Sequence, residues 1–247
     1  MTKPVSISTL DNDESSLKDR VYLVTGSTGG LGRATSLALA KQGATVILSG
    51  RNEKKLDQLY DQIETAGYPT PAILPFDLEQ QDDEIYTQLI HSIYNEFKQL
   101  NGLVNAACQL GIVGPIASQK ASEWQKVMQV NMNAAAMLSK ACLPLLQQMP
   151  SSSIAFISDS SARNNKAYWG AYGTSKVALE SFASILADEL ESSTVNCNVF
   201  VPGPSRLPIR KKTHPAETEA TQTLSELLAD AVVQTCISKQ SGQVYSL

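Results

Sequence analysis

Short apolar runs alternate with stretches in which apolar residues return every third or fourth position, and the alternation continues to the end of the chain. Residues 20–25 (RVYLVT) read as a buried strand, followed by glycines and an Ala-rich amphipathic helix that stops at Gln42-Gly43. The pattern repeats with a strand over 44–49 and a helix over 53–66, where Leu56, Leu59, Tyr60 and Ile63 share one side and Gly67 is the stop. A third strand at 72–76 precedes a helix over 82–99, and a fourth at 102–107 precedes a long helix-rich stretch from about 122 to 148. A fifth strand at 153–158 leads through a polar loop into a helix over 169–192. A sixth strand at 195–201, a helix within 220–238 and a terminal seventh strand at 244–247 complete the series. Alternation this regular predicts a parallel sheet with helices on both faces. Residues 203–220 form the one long irregular segment, of a kind that often serves as a lid. No linker or composition break divides the chain, so a polar N-terminal extension over 1–19 is expected to precede one α/β domain over 20–247.

Composition narrows the chemistry. Lys and Arg number 20 against 24 Asp and Glu in 247 residues, a net charge of −4 that argues against a nucleic-acid surface. No run approaches the ~18 apolar residues of a spanning helix, and the first twenty residues lack an apolar signal core; a soluble, cytoplasmic protein is expected. Cys108, Cys142, Cys197 and Cys236 are far apart with no CxxC, which argues against a disulfide framework or a zinc cage. His91 lies off the apolar stripe of Ile85, Leu89, Ile93 and Phe97, while His214 sits in a basic stretch as a loop residue or a visitor to substrate. The run Asp82, Asp83, Glu84 reads as a helix N-cap with first-turn acids, and no metal site is expected.

Residues 25–32 (TGSTGGLG) stand between the first strand and its helix. Gly26 permits a tight turn, Gly30 lets a backbone approach a pyrophosphate, and Gly32 allows close helix packing, with Ser27, Thr28 and Leu31 completing the turn. The helix start offers free N–H groups to phosphates, so a dinucleotide site is predicted, with a merely structural turn as the alternative. Tyr172 and Lys176 stand four apart at the start of a later helix, and both project from one face. A free tyrosine, with pKa about 10, is a poor base at pH 7, and a nearby ammonium favours its phenolate.

The TGxxxGxG spacing, the Tyr-x-x-x-Lys pair after a fifth strand, and Asn131 in residues 128–131 (MQVN) together resemble the short-chain dehydrogenase/reductase family over roughly residues 20–247. The resemblance implies a single-domain Rossmann fold with a doubly wound seven-stranded parallel sheet in the order 3-2-1-4-5-6-7. It also implies hydride transfer between a nicotinamide and an aldehyde or ketone or its alcohol. In that family the residue closing the second strand is acidic when the cofactor is NAD. Here that position is Gly50, followed by Arg51 and Asn52, which implies NADP(H); an arginine at a strand end is otherwise an ordinary surface residue. Further cofactor contacts implied are Asp77 and Leu78 at the adenine, Asn105, Ala106 and Ala107 after the fourth strand, and Pro202, Gly203 and Ser205 after the sixth. Tyr172 is then the general acid/base, Lys176 lowers its pKa and binds the nicotinamide ribose, and Asn131 holds a relay water. A homodimer or homotetramer through the helices carrying Asn131 and Tyr172 is implied as well. Residues 49–52 (SGRN), 128–131 and 169–172 (WGAY) resemble the YciK-like bacterial branch of the family.

Departures from the family pattern touch the site itself. The serine expected thirteen residues before the tyrosine is Asp159, flanked by Ser158, Ser160 and Ser161. Cys108 replaces a glycine near the cofactor, and Leu207 stands where a threonine usually meets the nicotinamide amide, with Ser205 as a substitute. An ionised Asp159 about 5 Å from Tyr172 disfavours phenolate by roughly 3 kcal/mol, or about 2 pKa units. Two readings follow: a carbonyl reductase in which Ser158, Asp159 or Ser160 orients the substrate oxygen, and a nucleotide-binding sensor or scaffold that has lost turnover.

Overall fold

Apolar runs flanked by helices leave a strand no solvent-facing side, and Val21–Thr25 is accordingly buried at every position. The computed structural model describes residues 3–7 and 17–247. Its strands are β1 (Val5–Ser6), β2 (Val21–Thr25), β3 (Thr45–Gly50), β4 (Ala72–Pro75), β5 (Gly102–Asn105), β6 (Ser152–Ile157), β7 (Val195–Phe200) and β8 (Val244–Ser246). All pair in parallel, in the order β1-β8-β7-β6-β5-β2-β3-β4. Counted from β2, this is the expected order with one correction: among the described residues the sheet has eight strands, not seven. Val5 and Ser6, within the N-terminal stretch read as a polar extension, pair with Tyr245 and Ser246 as an edge strand. Both are exposed, and two residues cannot show an alternation, so the sequence pattern carried no signal for them. Leu17, in the same stretch, is fully buried, and its N–H donates to the Gln42 carbonyl at 2.9 Å.

The helices are α1 (Gly30–Lys41), α2 (Glu53–Thr65), α3 (Asp83–Phe97), α4 (Ala121–Met128), α5 (Ala134–Leu146), α6 (Ser160–Arg163), α7 (Gly170–Glu189), α8 (Pro208–Thr213) and α9 (Ser225–Ile237). Alternate strand residues feed two cores. Val21, Leu23 and Ile47 pack with α3, α5 and α7 on one face, while Tyr22, Val24, Val46 and Leu48 pack with α1, α2 and α9 on the other. Asp82 caps α3 by accepting the Glu84 N–H at 3.0 Å, as the acidic run implied. Two expectations need refinement. The stretch 122–148 is two helices joined by a π-helical turn, Gln129–Asn133, and the irregular segment after β7 contains α8. Among the described residues no helix is long and apolar enough to cross a membrane, and no cluster of metal-ligating side chains occurs. The carboxyl ends of β2, β3, β5 and β6 converge on one edge of the sheet, the place where open parallel sheets form a ligand crevice.

Candidate active site

A cleft of about 570 Å³ opens at those strand ends. Its floor is the turn from Gly26 to α1. Gly26 has φ +65°, and a Cβ there would stand 2.6 Å from Ala107 Cα; a Cβ on Gly32 would meet the Gly26 carbonyl oxygen at 2.3 Å. Gly29 begins α1 without a side-chain cap and the first turn holds no acid, so the N–H groups of the helix start are uncommitted to side chains. Gly30 faces α8: a Cβ would lie 2.7 Å from Pro208 and 3.2 Å from Leu207. The irregular segment thus folds back over the glycine turn.

Of the residues singled out for a cofactor, Gly26, Thr28, Gly30, Leu31, Gly50, Arg51, Asp77, Leu78, Ala106, Ala107, Tyr172, Lys176 and Pro202 line this cleft. Others do not. Ser27 is fully buried, donating to the Val24 carbonyl at 2.6 Å and accepting from the Ser49 N–H at 3.1 Å. Asn52 is the N-cap of α2, Asn105 donates to Ser139 Oγ, and Ser205 is buried in a bridge to Thr223. Gly203 is also outside the lining. Ser27, Asn52, Asn105 and Ser205 build the cradle rather than face it. Arg51 is already engaged: Nη1 lies 2.5 Å from Glu79 Oε1 and 3.9 Å from Asp77 Oδ1, and Lys126 Nζ approaches the same Glu79 oxygen at 2.9 Å. Lys126 first, and Arg51 after it, hold the Glu79 carboxyl below its usual pKa.

At the other end, Tyr172 and Lys176 rise from the first turns of α7, both buried. Gly170, with φ +37°, opens this helix because the Gln119 amide fills the space of its Cβ and accepts the Ala171 N–H at 3.3 Å. Tyr172 donates its hydroxyl proton to Asp159 Oδ2 at 2.8 Å. The second carboxyl oxygen accepts the Ser161 N–H at 2.7 Å, making Asp159 the N-cap of α6. Ser158 turns away and donates to Glu180, which also pairs with Arg163 at 3.5 Å, and Ser160 does not line the cleft. Asp159, not a flanking serine, occupies the place beside the tyrosine.

Lys176 donates to the Ile157 carbonyl at 2.8 Å, and its Nζ is 5.9 Å from the centre of the Tyr172 ring. The expected lowering of the tyrosine is absent from this arrangement. Burial, then the Cys108 thiol, then Asp159 push the Tyr172 pKa well above the ordinary phenol value. Cys108, in the place of the family's glycine, lines the same cleft as Tyr172 and adds to that upward shift. Asn131 sits in the π-helical turn and clamps Gln109: its Oδ1 accepts the Gln109 N–H at 2.7 Å and its Nδ2 donates to the Gln109 carbonyl at 2.9 Å. The same Nδ2 reaches Ser175 Oγ at 2.9 Å. His91 is exposed on α3, and His214 stacks 5.8 Å from Trp169, outside the cleft lining. Sequence reading missed Glu79, Gln109, Glu180 and Arg210; the last donates to Ser161 Oγ at 2.7 Å and grips Glu217. Each acts through a partner distant in the chain, which spacing alone does not encode.

The family model of the short chain dehydrogenases matches residues 20–218. The oxidoreductase YciK of Escherichia coli (strain K12) is 41% identical over 202 residues, covering 81% of this chain and 79% of its own length. A short chain dehydrogenase of Shigella flexneri complexed with NADP superposes with a TM-score of 0.89 at 34% identity, covering 95% of this chain and 99% of that one. Another, from Escherichia coli CFT073 complexed with NADPH, also reaches 0.89 at 34% identity, covering 95% and 98%. With fold, glycine turn and Tyr172-Lys176 pair in one arrangement and the family model spanning most of its length, the chain belongs to the short-chain dehydrogenase/reductase family of oxidoreductases.

Proposed function

We propose that the chain is an NADP(H)-dependent reductase acting on a carbonyl compound or its alcohol, with Tyr172 as the general acid/base. One observation carries the reading: a single cleft joins the uncapped start of α1 and Arg51 at one end to Tyr172, Asp159 and Lys176 at the other. The cradle fits the cofactor, because a side chain at Gly26 or Gly32 would close the turn, and Gly50 presents no carboxylate to oppose a 2′-phosphate. Gly26, Thr28, Gly30 and Leu31 would hold the pyrophosphate, Arg51 the 2′-phosphate, Asp77 and Leu78 the adenine, and Lys176 the nicotinamide ribose. When bound, NADPH supplies the hydride. Tyr172 gives its proton to the substrate oxygen, Asp159 fixes the direction of that hydroxyl, and Asn131 holds the Gln109 backbone at the cleft wall. Leu110, Leu207 and Ile209 line the same end and exclude water. Assembly as a homodimer or homotetramer belongs to the same reading, with Ile185 of α7, 55% exposed, available to an interface.

Fluorescence titration with NADPH and NADH, followed by NADPH consumption against aldehydes and ketones, tests this. Expected are tighter NADPH binding and turnover that Tyr172→Phe lowers by at least about a hundredfold. Absence of binding would remove the cofactor assignments together. The Tyr172–Asp159 bond specifically favours a second reading, a binding protein without turnover, in which NADPH binds, no substrate consumes it, and Asp159→Ser creates activity.

A further inference from the structure

Two donors meet the Asp159 carboxyl, the Tyr172 hydroxyl on Oδ2 and the Ser161 N–H on Oδ1, so both oxygens accept and the group is fixed in direction. Lys176 directs one of its three N–H groups to the Ile157 carbonyl, and its Nζ stays 5.9 Å from the Tyr172 ring centre. The other acid lining the cleft, Asp77, stands near Arg51 at the far end, and Lys212 is exposed on α8. Asp159 is therefore the charged group in direct contact with the Tyr172 hydroxyl, where a reacting atom would meet it.

A carbonyl acceptor draws badly on this pair. As hydride reaches its carbon, negative charge grows on the oxygen and the proton must leave Tyr172, creating a phenolate one hydrogen-bond length from a carboxylate. A protonated C=N bond makes no such demand. Hydride from NADPH forms the new C–H bond, the C=N π pair becomes the nitrogen lone pair, and the positive charge is cancelled. Iminium and NADPH give amine and NADP⁺, and Tyr172 keeps its proton. Burial and the neighbouring Cys108 and Asp159 favour that protonated state of Tyr172.

We propose that the site reduces protonated C=N bonds, in cyclic imines of mainly apolar surface, and that Asp159 binds the cationic nitrogen. The proposal rests on the reading of the cleft as an NADPH site and extends it to a second class of electrophile. Leu110, Leu207 and Ile209 suit an apolar ring and supply no competing charge.

The test uses matched probes. Calorimetric titration of the cofactor-free protein with N-methyl-dihydroisoquinolinium, a permanent cation, and with tetralone, a neutral ketone of similar shape, reads the charge preference directly. The cation is expected to bind roughly tenfold tighter, and Asp159→Ser and Asp159→Asn to erase the difference. Asparagine keeps an acceptor for the Ser161 N–H, and thermal melting checks that both variants fold. NADPH consumption is then expected to favour dihydroisoquinoline over tetralone in the wild type, and Asp159→Ser to invert the ratio. A wild type that binds NADPH and reduces tetralone but none of a set of cyclic imines overturns this proposal alone, as does undiminished cation preference in both variants. Failure to bind NADPH overturns the reductase reading and this one together.

Discussion

Arg51 shows how much one residue's partner can matter. Its guanidinium is the group expected to meet a 2′-phosphate, yet Glu79 and Asp77 surround it, and Glu79 shares Lys126. A phosphate entering here must compete with the Glu79 carboxylate for Arg51 and is repelled by it. Glu79→Gln is therefore expected to tighten NADPH binding by roughly fivefold, about 1 kcal/mol for a half-exposed pair, while leaving NADH nearly unchanged. Parallel fluorescence titrations decide it, and an equal gain for both nucleotides would mean that Glu79 acts on the fold instead. Asn131 is the second case. It satisfies both backbone groups of the half-buried Gln109 and reaches the buried Ser175, so Asn131→Ala removes three hydrogen bonds at once and should cost about 1–3 kcal/mol in urea unfolding. The amide of residue 109 should lose hydrogen-exchange protection in the same variant; preserved protection would separate the residue from the loop it is thought to hold.

Between elements, the clearest device is the link from β6 and α6 to α7. Ser158 follows β6, Arg163 ends α6, and both meet Glu180, two turns beyond Tyr172 on α7. This three-way contact fixes the turn bearing Asp159 against the helix bearing its partner. Glu180 is buried and the Arg163 side chain is only 11% exposed, so loss of the carboxylate in Glu180→Ala should cost about 3–5 kcal/mol and Glu180→Gln less, read from thermal or urea unfolding. Gly102 is a strand-level counterpart: a Cβ there would lie 2.2 Å from the Tyr22 ring on the adjoining strand. Apolar runs and glycine stops were enough to locate the seven longer strands, because strands buried on both faces are largely apolar, whereas their order came from the family resemblance. The β1 edge was invisible because two exposed residues carry no period. The π-helical turn at Gln129–Asn133 was invisible because one extra residue per turn barely disturbs apolar spacing. Of the candidate site, Gly26 and Gly30 in the turn that opens α1, and Tyr172 and Lys176 on α7, were legible from their spacing. The contacts of Asp159, Arg51 and Ser158 were not, since each is decided by a residue from another element.

Across the whole molecule, the buried thiols couple the core to alkaline pH. Cys142, Cys197 and Cys236 lie within the two cores, and burial pushes Cys197 and Cys236 to about 12 and Cys142 higher still. Burial raises Tyr22 to about 12 as well. Each group keeps its proton in the folded state at a pH where the unfolded chain has released it. Above the unfolded values, about 9 for thiols and 10 for tyrosine, the unfolded state binds fewer protons, and stability must fall as pH rises. The three thiols together amount to a loss of about 4 kcal/mol by about pH 10, whereas below about pH 8 they contribute no slope. Urea unfolding at a series of pH values, under reducing conditions, should show this as a midpoint flat to about pH 8 and falling beyond it. Cys142→Ala gives the internal control, because removing one thiol should reduce the alkaline slope by about a third whatever it does to absolute stability. An unchanged slope in that variant would place the alkaline loss outside the buried thiols.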